Sequence, residues 1–231
     1  MTKLLAVASL VLFFAPVAIG QSLNTSVTGY VGQQVLCTQN GSSKATCARL
    51  YQEDPNVSAG VSMLAAADYG VLTASSGAVD NCGTGCEISA AATAGAWFND
   101  SATLQGVPSS GAFFLITLDV SGSVSDPNAT TSNFVLSIYD AQHTANCPAV
   151  LTPNAHRVCY LSVTDGDTVY FNATLGNSAT ANLVVAGGGN GTLTEFAIVS
   201  ARISELAVVN QQRQVLNTVI ITTASGHQYP L

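Results

Sequence analysis

Between Ile88 and Leu104 the chain places an apolar side chain at almost every second position. Ile88, Ala90, Ala92, Ala94, Ala96, Phe98, Ala102 and Leu104 share one phase, which Asp100 interrupts. The other phase holds Ser89, Thr93, Trp97, Asn99, Ser101 and Thr103, with Ala91 and Gly95 between them. Successive side chains of a strand point to opposite faces, so this spacing predicts a long strand buried on one side only. Alanine favours helix on propensity alone. The Ser, Thr and Gly interleaving and the lack of charged pairs four residues apart favour the strand. The same period recurs in three further runs. Phe114, Ile116, Leu118 and Val120 oppose Leu115, Thr117 and Asp119; Phe134, Leu136 and Ile138 oppose Val135, Ser137 and Tyr139; Val169, Phe171, Ala173 and Leu175 oppose Tyr170, Asn172 and Thr174. Val61 to Ala74 is also read as strand. Ser200 to Gln214 reads either as a helix or as strand–turn–strand.

Turn chemistry separates these runs at Val107-Pro108-Ser109-Ser110-Gly111, Ser125-Asp126-Pro127-Asn128, Asp165-Gly166-Asp167 and Gly187-Gly188-Gly189-Asn190-Gly191. Asp165-Gly166, set between Tyr160-Leu161-Ser162-Val163 and Val169-Tyr170-Phe171, predicts a hairpin. Many short strands without strand–helix alternation predict an all-β protein, an antiparallel β-sandwich. No composition shift marks a boundary, so residues 21–231 are expected to form a single domain.

The first twenty residues carry Lys3, an uncharged apolar run from Leu4 to Ala18, and Ala18-Ile19-Gly20 before Gln21. That is the pattern of a secretory signal peptide, with an apolar run short for a membrane span. Export governs how the cysteines are read. Six cysteines permit fifteen connectivities. They fall as close pairs, Cys37 with Cys47, Cys82 with Cys86 and Cys147 with Cys159, each pair divided from the next by a long strand-rich stretch. Local disulfides are therefore expected, contributing about 2–3 kcal/mol each in the chain-entropy model. Cys82-Gly-Thr-Gly-Cys86 has neither the two-residue redox spacing nor nearby histidine ligands for a metal.

Charged residues make up only 8% of the chain and the formal charge is −7. Scattered basic residues cannot displace the counterions of a nucleic acid or hold an anionic membrane, so neither partner is expected. No membrane insertion is expected after signal removal, and no cofactor. The sequence lacks a Gly-x-Ser-x-Gly elbow, a His-Glu-x-x-His helix and a phosphate-binding glycine loop. His143 and His156, near the Cys147–Cys159 segment, are expected as exposed loop residues. With His227 they leave open a catalytic triad assembled in space; a dispersed carboxylate pair is the other hydrolase route. Asp165 and Asp167 are weak calcium candidates, as are Asp126 and Asn128, although none has an EF-hand spacing. Trp97, the one tryptophan, lies on the polar phase of its strand, as do Tyr139 and Tyr170 on theirs. An aromatic ring on a polar strand surface can stack on a sugar ring. Asn-x-Ser/Thr occurs at Asn24, Asn40, Asn56, Asn99, Asn128, Asn172 and Asn190, read mainly as a by-product of Asn- and Thr-rich surface strands.

The segment Ala65-Ala66-Ala67-Asp68-Tyr69-Gly70-Val71-Leu72-Thr73-Ala74 resembles bacterial exosortase-sorted (PEP-CTERM) exported proteins. So do the strand from Ile88 ending in Phe98-Asn99-Asp100-Ser101-Ala102-Thr103-Leu104, the run Gly111 to Gly122, and the close Thr222-Thr223-Ala224-Ser225-Gly226-His227-Gln228-Tyr229-Pro230. The Pro-Glu-Pro signal, apolar helix and basic tail of that group do not occur before Leu231. The resemblance implies a jelly-roll-like β-sandwich exported to the cell exterior, associated with exopolysaccharide or biofilm matrix, with no catalytic residues to carry over. The leading expectation is a non-catalytic surface or extracellular-matrix protein, contacting polysaccharide or copies of itself. A carbohydrate-binding module using Trp97 is the alternative, and a hydrolase the third.

Overall fold

The computed structural model describes residues 21–54, 57–147, 154–186 and 189–231. The signal segment and Asn56 lie outside the described residues. Among the described residues thirteen strands follow in order: β1 (Ser22–Val31), β2 (Gln34–Gly41), β3 (Lys44–Asp54), β4 (Val57–Asp68), β5 (Val71–Cys82), β6 (Glu87–Gln105), β7 (Ala112–Val124), β8 (Thr130–Tyr139), β9 (Thr144–Asn146), β10 (Ala155–Val163), β11 (Thr168–Val184), β12 (Gly191–Val209) and β13 (Ile220–Thr223). Two antiparallel sheets pack face to face. One runs β2-β1-β6-β11-β8-β9, with β13 also on β6; the other runs β10-β7-β12-β5-β4-β3.

The eight strands from β5 to β12 pair by one rule. β5 pairs with β12, β6 with β11, β7 with β10 and β8 with β9. A ribbon folded back on itself and then rolled gives this set, and its two sheets, β5-β12-β7-β10 and β6-β11-β8-β9, are those of a jelly roll. The strands β1 to β4 widen both sheets on one side. The antiparallel sandwich expected from the sequence is thus present, in jelly-roll order.

Each disulfide sits where the chain changes sheets. Cys37 on β2 joins Cys47 on β3, Cα atoms 6.6 Å apart, and ties the two edge strands on one open side. Cys147, just past β9, joins Cys159 on β10 at 5.6 Å and ties the opposite side. Cys82 and Cys86, 6.0 Å apart, close the β5–β6 crossing. The sandwich is stapled at both flanks and at one end.

The hairpin expected at Asp165-Gly166-Asp167 is not formed. β10 belongs to one sheet and β11 to the other, so this turn is a crossing. Gly166 takes φ +83° and donates its N–H to Leu104 O, 2.9 Å, while Leu104 N–H donates to Asp167 O, anchoring the crossing to β6. Val61 to Ala74 is strand broken by the Tyr69-Gly70 turn of the β4–β5 hairpin. Gly70 there has φ +79°, and a Cβ on it would come within 2.8 Å of the Tyr229 ring. Ser200 to Gln214 is strand as far as Val209, then a turn closed by a bridge from Val209 to Val215.

The alternating phases bury as expected: Ile88 to Leu104 supplies Ala90, Ala92, Ala96, Phe98, Ala102 and Leu104 to the core. Leu115 and Thr117, on the outward phase of β7, are buried as well. Leu115 pairs with Tyr160, and the segment after β12 brings the Arg213 guanidinium 5.3 Å from the Tyr160 ring, roofing this corner. The C-terminal residues return along the C-terminal end of β6, where β13 pairs with Ala102 to Gln105. Ala224 N–H donates to Ser101 O, Leu206 N–H donates to Pro230 O, and Tyr229 is buried against Phe171.

Candidate functional site

The outward side of the seven-stranded sheet is assembled from alternate residues of β1, β6, β11 and β8. Register places Ser26, Gly95, Gly176 and Asn133 in one row, and Asn24, Trp97, Thr174 and Val135 in the next. Two rows further, Ser101 meets Tyr170 and Tyr139. In the outward phase of these four strands Glu87, at the start of β6, is the single charged residue. The surface is otherwise Ser, Thr, Asn and Gly with a few apolar and aromatic groups. Hydroxyls and amides are tied across strands: Thr131 to Ser178 at 2.7 Å, Thr103 to Thr168 at 3.3 Å, and Asn99 Nδ2 donating to Ser22 Oγ at 2.9 Å. Such cross-strand pairs hold the face in one arrangement.

The three aromatic residues singled out from the sequence share this face. Tyr139 and Tyr170 stack, with ring centroids 5.4 Å apart and planes 21° apart. Trp97 stands on the neighbouring strand, opposite Thr174; four residues along β11 and one strand across put its Cα about 14 Å from that of Tyr170. Tyr30 adds a fourth ring at the far end of β1. Trp97 leans along its own strand, its Cζ3 lying 3.9 Å from where a Cβ on Gly95 would be.

Asn24, Asn99 and Asn172 lie on the same face. In a strand, residues i and i+2 point the same way. A surface of outward Asn, Ser and Thr therefore writes Asn-x-Ser/Thr repeatedly. Asn40, next to the last residue of β2, is in register with Ser26, and Asn128 and Asn190 belong to crossings.

The opposite outer face differs. Leu50, Val79, Phe196 and the glycines Gly60 and Gly77 line a shallow hollow of about 480 Å³ on the six-stranded sheet. Leu50 is 71% exposed and Ile198 49%. Sequence reasoning missed this patch; its signal is outward-phase glycines beside outward-phase Leu, Val and Phe.

The calcium candidates are occupied with backbone work. Asp165 Oδ1 accepts from Gly106 N–H (2.6 Å) and Val107 N–H (3.1 Å), and Asp167 Oδ2 from Thr164 N–H (2.7 Å) and Oγ1 (3.1 Å). Asp126 Oδ1 accepts from Asn128 N–H. Among the described residues no three His, Cys, Asp or Glu side chains are grouped to hold a metal.

His143 lies in the β8–β9 turn, its Nδ1 3.3 Å from Asp140. Burial pushes the Asp140 carboxyl up, but the N–H groups of Gln142 and His143 and the His143 ring outweigh it and hold it below its ordinary range. His156, expected in a loop, is on β10, with Nδ1 2.8 Å from Asp119 Oδ1 on β7; Arg202 on β12 lies 3.6 Å from the same carboxylate. The His156 hydrogen bond, opposed by partial burial and helped by Ser204 and Arg202, lowers the Asp119 pKa.

A serine, a histidine and an aspartate do meet at the C-terminal end of the sandwich, but not as a triad. Ser225 Oγ donates to Asp100 Oδ2 at 2.5 Å, while His227 packs edge-on to the Tyr229 ring, centroids 4.6 Å apart. A nucleophilic serine needs the imidazole as its base, with the carboxylate behind it. Here the hydroxyl is bound to the carboxylate itself, and His227 reaches Ser225 Oγ through its backbone N–H, 3.1 Å.

No protein-family model matches the chain, and no curated protein or solved structure matches it. Among the described residues no helix is long and apolar enough to cross a membrane.

Proposed function

We propose that this is an exported, non-catalytic jelly roll of the cell surface or extracellular matrix that contacts polysaccharide through the outer face of its seven-stranded sheet. The observation that carries the reading is the placement of Trp97, Tyr139 and Tyr170 on one open face dominated by uncharged hydrogen-bonding side chains. Sugars present apolar C–H faces and a rim of hydroxyls. A ring bound to such a surface stacks on an aromatic face and exchanges hydrogen bonds with Asn, Ser and Thr. Three disulfides accord with an oxidising compartment.

The test is retention of the purified protein on insoluble and matrix polysaccharides, beside Trp97→Ala and Tyr170→Ala variants. Retention by the parent and its loss in either variant is the expected result. Retention unchanged in both would move any glycan contact off this face, and no retention by the parent would remove the reading.

A second reading has its own observation. The apolar hollow around Leu50, Val79 and Phe196 suits burial against another copy of the chain. Self-association through it predicts a mass that rises with concentration in sedimentation and reverts to monomer in Phe196→Asp. A constant monomer mass over a wide concentration range removes this reading.

A further inference from the structure

Gly176 is a residue without a local reason. It lies in the middle of β11, a central strand of the seven-stranded sheet, paired with Gly95 on one side and Asn133 on the other. A glycine inside a strand weakens it, and it is kept where the backbone turns to positive φ, where a neighbour leaves no room for a Cβ, or where a ligand approaches closely. Gly176 is not among the positive-φ residues. A Cβ built on it meets nothing within 4 Å. Gly95 is different: its absent Cβ would lie 3.3 Å from Ser26 Oγ and 3.9 Å from Trp97, so that glycine makes room for neighbours already present. The two glycines leave a gap in the Ser/Thr surface. Trp97 leans over the Gly95 side, and the Gly176 side is open. Thr174 and Ser178 flank it along the strand, and Asn133 stands across from it.

We infer that this gap is a subsite for one ring of a neutral polysaccharide, seated over Gly176 beside Trp97. The inference rests on the glycan reading above and sharpens it to a place and a class. Close approach of the ring to the bare backbone requires glycine. Trp97 supplies an apolar wall, and Asn133, Thr174 and Ser178 supply donors and acceptors to hydroxyls. Neutrality follows from charge. The outward phase of β1, β6, β11 and β8 carries no Lys or Arg, and the whole chain is net −7, so a uronate or sulfate chain would find no counter-charge there. The stacked Tyr139–Tyr170 pair, about 14 Å from Trp97 by register, lies where a chain of several sugars could continue.

Gly176→Thr separates binding from folding. A β-branched residue suits an open outward position on a central strand, so the variant is expected to melt at or above the temperature of the parent. Its side chain fills the gap. Mobility in native gels containing hydroxyethylcellulose, with alginate gels as the anionic comparison, reads the binding. The expected result is retardation of the parent by hydroxyethylcellulose and not by alginate, with at least a tenfold loss of affinity in Gly176→Thr and a smaller loss in Gly176→Ala. A parent that binds and a folded Gly176→Thr that binds equally well would overturn the subsite while leaving glycan contact elsewhere on the face. Retardation by alginate alone would overturn the neutral class. A parent retarded by neither, and not retained on insoluble cellulose or chitin, would overturn the glycan reading and the subsite together.

Discussion

Asp80 and Asp100 face the same interior from opposite sheets, Asp80 from β5 and Asp100 from β6, and both are buried. Their surroundings are unlike. Asp100 accepts from Ser101 N–H at 2.8 Å, Ser225 N–H at 3.1 Å, Ser225 Oγ at 2.5 Å and Tyr229 Oη at 2.9 Å. Among the described residues neither oxygen of Asp80 has a hydrogen-bond partner. Its pKa is pushed up to about 6 by burial; the backbone N–H groups of Ala90 and Leu183 temper the rise without closing a hydrogen bond. A buried carboxylate needs donors or a proton. The C-terminal segment supplies donors at one end of the sandwich, and at the other end the carboxyl holds its proton up to about pH 6. Packing follows the same division. Around Asp100 the core is aromatic, with Phe171 5.5 Å from Tyr229, 6.4 Å from Phe98 and 6.3 Å from Phe114. Around Asp80 the facing strands bring the backbone of Ala90 on β6 and of Leu183 on β11, and Ala90 and its register partner Ala181 carry only buried methyl side chains.

The largest expected effect is at the aromatic end. Phe171→Ala removes a fully buried ring that touches three others and should cost about 3–5 kcal/mol in urea unfolding. A loss below about 1 kcal/mol would mean that the end closed by the C-terminal segment is not the better packed one, and the contrast would fail.

The alanine end answers to pH. In the unfolded chain an aspartate titrates near about 3.9, and in the folded chain Asp80 does so at about 6. Between these values the folded state holds a proton that the unfolded state has released. Stability therefore falls as pH rises from about 4 to about 6 and is level above, a loss of about 3 kcal/mol from this group. Asp80→Asn cannot titrate. The difference in unfolding free energy between the parent and Asp80→Asn, followed from pH 4 to pH 7.5, should move by about that amount in the sense of a parent that weakens toward neutrality. A difference that stays constant across the range would show Asp80 to be as well provided with donors as Asp100.

These two aspartates also mark how far the sequence could be read. The phase of β6 is plain from Ile88 to Leu104, and Asp100 stands out as its one charged interruption. What satisfies Asp100 lies 125 residues away in Ser225 and 129 away in Tyr229, beyond the reach of any local pattern. Asp80 is quieter: it continues the phase of Leu72, Ala74 and Ala78 on a strand whose alternation is weakened by Ser and Gly. The strands and the cysteine pairs were legible because period two and short loop length are local properties. The destination of each turn was not. Asp-Gly and Asp-Pro-Asn bend the chain equally well into a hairpin or into a crossing, and the choice rests on distant partners, as β10 on β7 and β11 on β6 show. The outward phase of Trp97, Tyr139 and Tyr170 was readable, but the stacking of the tyrosines needed the β8–β11 register, and the gap at Gly176 needed the knowledge that nothing fills it.

The smallest effect divides the four bonds to Asp100. Burial, and then the adjacent Asp100 charge, push the Tyr229 phenol above its ordinary range, so it stays protonated and donates throughout the working pH range. Tyr229→Phe keeps the ring against Phe171 and deletes that one donor. A hydrogen bond to a charged group contributes about 1.5–3 kcal/mol, and three donors to the carboxylate remain, so the loss at pH 7 should lie near the lower figure. Ser225→Ala removes a donor from the same oxygen and should cost a similar amount. The two together leave the Asp100 carboxyl with the N–H groups of Ser101 and Ser225 alone and should cost more, in urea unfolding at pH 7, than either change singly. If the double variant instead loses no more than either single variant, the two buried aspartates differ by the N–H groups of Ser101 and Ser225 rather than by the side chains of the C-terminal segment.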